Sequence, residues 1–417
     1  ANTVFSTTAV GGGNIPFAGS TIVNVTDGGT LRIRASDLDL RTVSASTQVN
    51  ITGANSLADI AGGIRGSTSF NATFGLTVGA GGTLRTRGAS QIGMASSNTT
   101  PIAAAIPGGG SNWTSNGSLL MTAGDFTVDQ GGAASFASAV FGAAPQDANL
   151  LVSGAGSSFA TTGNLVIGTG TGTGALTVTD RAQGTAGGGL TIAQDAGSNG
   201  TVTIGDGGVL RVGGGTLAMG PGNAVLYIGD FQSLPVGKRA GVLDAAELTF
   251  TAATNMVNFN HIDSDYVFAT RMSGAGEIIS SRGTTILTAD NAHSGQTHIN
   301  GGRLIINGDQ SAATGRISVM AGGALGGRGV IGGAVEVFGR IAPGDLGEAP
   351  GTLTINGDLA TFFSTNLDYS FGQANVVGGA FNDLIEVGGN LTVDGTLNVA
   401  VAPGGSFGPG VHPVINL

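Results

Sequence analysis

The chain has 417 residues, of which 78 are glycine and none is cysteine; 10% are charged, and the net charge is −10. Glycine at this density, far above the usual ~7%, argues against a mainly helical protein, because each interior glycine costs ~1 kcal/mol relative to alanine. A hydrophobic share of 41% is too high for simple disorder, the lack of a strict Gly-X-Y period excludes collagen, and the lack of cysteine excludes disulfides and thiolate metal sites.

Lys238 is the only lysine, and the arginines are read as spread singly from Arg32 to Arg340 without a patch. An acidic surface of that kind repels nucleic acid and anionic headgroups, so neither is expected as a partner. No run of 18 apolar residues is present, so no helix is expected to span a membrane. The start Ala1-Asn2-Thr3 has no basic or apolar leader, and any signal peptide is expected to have been removed.

In chain order, the first clear element is the stretch from Thr21 to Arg34, TIVNVTDGGTLRIR, and it returns from Phe74 to Arg87 as FGLTVGAGGTLRTR. Both read as two short strands around a glycine turn. Residues 92–118, with Pro101, Pro107 and the single tryptophan Trp113, and residues 137–149, Ala-rich with Pro145, read as protruding loops. Between 148 and 230 the pattern is most regular. Leu151-Val152-Ser153 aligns with Leu176-Thr177-Val178 and Val202-Thr203-Ile204, while Leu165-Val166-Ile167 aligns with Leu190-Thr191-Ile192. The steps are 25 and 26 residues, and strand starts fall every 11 to 14. In Thr201–Val212, alternation puts Val202, Ile204, Leu210 and Val212 on one side and Arg211 on the other. The phrase Gly-Gly-x-Leu begins at 28, 81, 187, 207, 214, 301, 322 and 388.

A fixed period of this size predicts a solenoid. A strand of three to five residues with one apolar face buries little alone. Stacked at ~4.8 Å on copies of itself, it satisfies its backbone and builds an interior column, here expected to be Val, Ile and Leu. Coils of roughly 20–25 residues would give a rod on the order of 80–100 Å. The predicted class is all-β and the predicted organisation one continuous solenoid. Residues 1–147 form N-terminal coils with the two loops, 148–250 the regular repeats, and 251–417 the C-terminal coils.

Further on, Val257-Asn258-Phe259-Asn260-His261, Tyr266-Val267-Phe268, Asn291 to Thr297, Ile299 to Leu304, Ala324 to Gly333, Ile341-Ala342-Pro343-Gly344 and Pro350 to Gly357 carry a resemblance. They resemble the passenger region of bacterial autotransporters, the type V secreted surface proteins, and their associated-strand repeat with its APG…PGTL ending. The resemblance implies a single-stranded right-handed parallel β-helix (β-solenoid), exported through the periplasm and displayed at the cell surface or released. It also implies a C-terminal outer-membrane β-barrel, whose alternating, aromatic-girdled strands are not found in this sequence. The chain reads as an isolated passenger portion, and 299–417 as the segment that nucleates folding outside the cell.

The search for chemistry returns no catalytic, cofactor-binding or metal-binding residue. Gly168 to Gly174, GTGTGTG, lacks the βαβ context of a dinucleotide loop. Gly237-Lys238-Arg239 fails the phosphate-loop pattern, and Ala196 to Gly200 only approaches a nucleophile elbow. The Gly-Asp-Ser-Gly phrase of serine-protease passengers does not occur. His261, His293, His298 and His412 are read as structural, with a metal pair at His293 and His298 as the weaker alternative. Asp263 and Asp265 are read as a solvated turn, with a weak cation site as the alternative. Arg32, Arg85 and Arg211 are read as equivalent outward positions, far apart and solubilising. Trp113 is the one possible contact residue, since tryptophan is enriched in binding hot spots; plugging the solenoid wall is the alternative. The function expected is non-enzymatic: an adhesin, self-association or virulence factor whose partner is a host-cell surface or matrix component, or another copy. The alternatives are a polysaccharide-cleaving β-helix enzyme, which needs a groove with two close carboxylates, and an inert stalk with the binding tip elsewhere.

Overall fold

The computed structural model describes residues 4–7, 15–16, 20–41, 46–66, 73–93, 102–143, 146–231, 237–344 and 349–417. Every regular element among them is a β-strand. The chain divides into two compact units, residues 1–226 with 241–245, and residues 227–240 with 246–417.

In the first unit each coil contributes three strands to three parallel sheets. One coil runs through Asp147–Ser153, Ser158–Thr161 and Leu165–Ile167; the next runs through Thr173–Thr179, Gln183–Ala186 and Leu190–Ile192. Each strand pairs in parallel with its counterpart one coil on. Leu150 lies beside Leu176 and Leu176 beside Val202, while Leu165 lies beside Leu190. This is a parallel β-helix. The 25-residue step from Leu165 to Leu190 is as the sequence reading had it. The other alignment is off by one, because Leu150, not Leu151, stands over Leu176. Alternation explains the correction: Leu150 and Val152 are buried, and Leu151 points to solvent. Each coil has three strands, where the spacing of 11 to 14 implied two. The overlooked Ser158–Thr161 carries little apolar signal in this repeat, because only one of its two inward residues, Phe159, is apolar; the other is Thr161.

The glycine turns set the corners. Asp27-Gly28, Ala80-Gly81, Gln130-Gly131 and Asp206-Gly207 all have positive φ at both residues. A backbone bond closes each, as from Gly29 N–H to Thr26 O at 2.8 Å. Two consecutive positive φ values define a type I′ turn, which glycine, Asn and Asp tolerate best. Intervening coils use another turn, Gly53–Ser56, Gly108–Ser111 and Gly154–Ser157, with positive φ only at its third residue among the two central positions. Its serine is buried and accepts from the neighbouring turn: Gly28 N–H to Ser56 Oγ at 3.1 Å, Gly81 N–H to Ser111 Oγ at 3.0 Å, and Gly131 N–H to Ser157 Oγ at 2.9 Å. The two turn types are therefore bonded to each other coil by coil. The phrase Gly-Gly-x-Leu serves two different corners. At 28, 81 and 207 it opens a strand of one sheet (Thr30–Ile33, Thr83–Thr86, Val209–Val212), and at 187 and 214 a strand of another (Leu190–Ile192, Thr216–Met219).

The two predicted loops are corrected. Within 92–118, Ile102–Pro107 and Asn112–Ser115 are strands stacked in register on both sides; within 137–149, Ala139–Phe141 and the start of Asp147–Ser153 are also strands. Proline misled the reading. Pro107 ends its strand, where its missing N–H costs least. Residues 94–101 and 144–145, with Pro101 and Pro145, lie outside the described residues. Strands on both sides of 147 stack in register, Asp125 beside Asn149 and Asn149 beside Ala175.

The interior is not only aliphatic. Along one sheet the inward positions read Leu84, Trp113, Ala134, Phe159, Gly184, Leu210. From Trp113 onward large and small alternate, so each ring fills space that its small neighbour leaves. A Cβ on Gly184 would already stand 2.9 Å from Leu210 Cδ1. Trp113, Phe126, Phe136, Phe141 and Phe159 form one buried cluster, with the Trp113 and Phe136 rings 4.9 Å apart, edge to face.

The second unit is also built of parallel ladders. One runs Ile278, Thr297, Ile317, Val335, Leu359, Leu391; another runs Thr285, Leu304, Leu325, Ile341, Leu367, Leu397. Thr297–Ile306 and Ile317–Gly327 are each a single strand that bends at its glycine pair, Gly301-Gly302 beside Gly322-Gly323. The Gly-Gly-x-Leu phrase at 301 is thus a bend inside one strand, with Gly302 at φ +67°.

Candidate functional site

Trp113 is not a contact residue on the surface. It is 0% exposed, and its indole Nε1–H donates to Thr86 Oγ1 at 3.1 Å inside the core. The reason is register: Trp113 falls on an inward position of Asn112–Ser115, between Leu84 and Ala134.

The histidines divide by the alternation of their strands. His261 is fully buried, with Nε2 2.9 Å from Thr285 Oγ1, and burial lowers its pKa despite Asp263 nearby. His293 is buried with Nε2 3.2 Å from Thr297 Oγ1, and desolvation brings its pKa down to about 4. His298 follows the buried Thr297 and precedes the buried Ile299, so it points the other way from His293's partner. The structure does not bring His293 and His298 together on one face. Asp263 accepts from Ala240 N–H at 2.7 Å and stands 3.9 Å from Arg239 Nε, and Asp265 is exposed. Among the described residues no three His, Cys, Asp or Glu side chains form a group that could hold a metal.

The outward positions carry the chemistry of the first unit. Arg32, Asp59 and Arg85 stand side by side on three successive strands, so Arg32 and Arg85 are two strand spacings apart, roughly 10 Å. This corrects the reading that they are distant. Sequence separation hid it, because one turn of the helix brings residues 26 apart into contact. Asp59 pairs with Arg32 at 3.5 Å and Arg87 at 2.7 Å. Arg211 shares the sheet and pairs with Asp244 at 3.5 Å and Gln183 Oε1 at 3.1 Å.

The second unit holds a cleft of about 240 Å³, lined among others by Arg340, Asp368, Tyr369, Ser370, Asp383 and Asn398. Two carboxylates, Asp368 and Asp383, are among its lining residues. Both are engaged. Asp368 pairs with Arg340 at 2.7 Å and accepts from Asn398 Nδ2 at 2.7 Å. Asp383 accepts from Gly351 N–H at 2.8 Å and Ser370 N–H at 2.7 Å. Burial raises Asp383 to about 6, against the opposing pull of those backbone bonds. Tyr369 is buried, its hydroxyl has no hydrogen-bond partner among the described residues, and desolvation raises its pKa. No periodic pattern marks Asp383, since it lies in the irregular stretch before Leu384–Val387.

Among the described residues, fold and surface together define a parallel β-helix with apolar side chains inward and polar and charged ladders outward. Over 390 residues, 89% of its length, the chain is 41% identical to the adhesin BmaC autotransporter of Brucella suis biovar 1 (strain 1330). The chain is related to the autotransporters, and the resemblance read mainly in 250–417 extends over most of it. It spans about 11% of that relative's length. No family model matches the chain. Among solved structures, a TibC-glycosylated fragment of TibA aligns over 96% of both chains at 12% identity and a TM-score of 0.19, so the fold assignment rests on the strand register itself.

Proposed function

We propose that this chain is a stretch of an autotransporter passenger that works as an adhesin outside the bacterial cell. The observation that carries this is its kinship with a relative named as an adhesin. The physics supports it. Inward positions are fixed by packing, whereas outward residues such as Asn24 and Asn50, or Asp125 and Asn149, bond to each other along their own ladders. A large polar surface can then vary without touching the core and supply many modest contacts. The partner is a host-cell surface or matrix component, and self-association is the second possibility. In the full-length protein a C-terminal barrel carries the passenger across the outer membrane.

Purified protein is expected to adhere to host cells in a saturable manner; absence of adherence to cells and to itself would favour the inert stalk. The enzymatic reading has one point in its favour, the cleft with Asp368 and Asp383. Glycan turnover that disappears in Asp383→Asn would establish it. The ion pair and backbone bonds that occupy both carboxylates argue for a structural role instead.

A further inference from the structure

The acidity of the chain is unevenly distributed. Residues 1–118 contain six arginines, from Arg32 to Arg87, and four aspartates, a net +2 in a chain whose total is −10. Folding concentrates this charge. Ile33, Ile60 and Thr86 are in register, so Arg34 and Arg87 follow them at equivalent points, just as Arg32 and Arg85 stand at equivalent points around Asp59. The four arginines mark the corners of a rectangle of roughly 7 by 10 Å, two residues along the strand by two strands across it. Asp59 is the only carboxylate between them, which leaves the group at +3. Arg34 and Arg85 are exposed and make no ion pair among the described residues.

The other acids of this region do not neutralise the group. Asp37 pairs with Arg65 and Asp39 with Arg41, and Asp27 sits in the corner turn. The segments of 1–118 outside the described residues contain no Asp or Glu. The next coil places Thr114 beside Arg85, and the coil after it Ser135, both uncharged.

We propose that this face binds a sulfated polysaccharide, with its anionic groups on Arg34 and Arg85 and sharing Arg32 and Arg87 with Asp59. The proposal rests on the adhesin reading and names its partner class. A guanidinium fork matches oxyanions with two parallel N–H bonds. The face is the outside of a sheet and not a pocket, so a single small anion would meet one or two solvent-screened cations and bind weakly. A polymer with repeated anions engages several at once, which multiplies weak contacts. A duplex nucleic acid, long and densely charged, would run from this patch onto the acidic remainder of the chain and be repelled.

Heparin is the probe. The purified chain should be retained on heparin at low salt and released as salt rises. Arg34→Ser with Arg85→Ser should bind about tenfold more weakly, as expected for losing two exposed ion pairs. Arg181→Asn with Arg303→Ser, the same charge loss elsewhere, should bind like the parent, and Asp59→Asn should bind more tightly. If Asp59→Asn does not fold by circular dichroism, the two double variants decide. No retention at low salt, equal loss in both double variants, or equally tight binding of duplex DNA or phosphatidylserine vesicles through the same arginines would each overturn the proposal. Cell adherence separates it from the broader reading. If Arg34→Ser with Arg85→Ser adheres like the parent, the adhesin stands and the polysaccharide site falls. If the parent binds heparin yet adheres to no cell, the site stands and the adhesin falls.

Discussion

Single residues in this protein are governed by which side of a strand they occupy. Trp113 shows it best, since composition marks it as an anchor for a partner and register makes it an anchor for the core. Its truncation to alanine should cost about 3–5 kcal/mol, measured as a lower urea midpoint. As the only tryptophan, it should emit at short wavelength and resist acrylamide quenching; a long-wavelength, easily quenched signal would contradict its burial. His293 gives a pH test. Its folded pKa of about 4 lies below the ordinary 6.5, so as pH falls from 6.5 towards 4 the unfolded chain takes the proton first. Stability is lost over that window, on the order of 3 kcal/mol at its acid end. Asp383 acts in the opposite sense. Its folded pKa is raised from 3.8 to about 6, so its stabilising contribution is full below about 4 and lost as pH rises through 6. Acidification restores it. His293→Leu should therefore show a smaller fall in urea midpoint between pH 7 and pH 4.5 than the parent. An equal fall would show that His293 is not what the acid reaches.

At the scale of the element, corners matter more than strands. In the first unit the strands are short and repeat one inward–outward pattern, but each corner needs particular backbone angles and particular donors. Ser157 Oγ, itself buried, accepts the half-buried Gly131 N–H, so Ser157→Ala removes that bond and should cost about 1 kcal/mol. Ser135, outward on a neighbouring strand, should tolerate alanine within about 0.5 kcal/mol. The two denaturation curves give the comparison, and similar midpoints would remove the serine column from the account. Gly132 is a stricter case. A Cβ there would lie 1.9 Å from Ile106 O in the previous coil, so Gly132→Ala must separate two coils. It should lower the midpoint more than Ser135→Ala does.

At the scale of the whole molecule, circular dichroism should show β structure without helical minima, since the described residues contain strands and no helix. The resemblance to autotransporter passengers adds a proposal about folding: residues 299–417 nucleate it. Deleting them should slow refolding of the remainder, and an unchanged rate would remove that role. The second unit carries long bent strands and interior histidines, the first a serine-capped wall and an aromatic centre.

Much of this was legible in the chain of letters. Period-two alternation named Val202, Ile204, Leu210 and Val212 as interior and Arg211 as exterior, and all five fall so. Local sterics suffice there, because a strand's two faces alternate whatever it packs against. Glycine and aspartate placed the corners for the same local reason. The unreadable part depended on contacts between coils. A one-residue slip separates Leu150 from Leu151, and pairing with Leu176 decides between them. Trp113 lay in text that resembles a loop until its neighbours Leu84 and Ala134 were known. The four arginines around Asp59 were scattered in the sequence and adjacent on the surface. The sequence by itself determined the repeating strand and its turn. Only the winding decided which side chains meet, because stacked neighbours in the first unit are about 26 residues apart and in the second 19 in one ladder and 32 in another, beyond the reach of any local pattern.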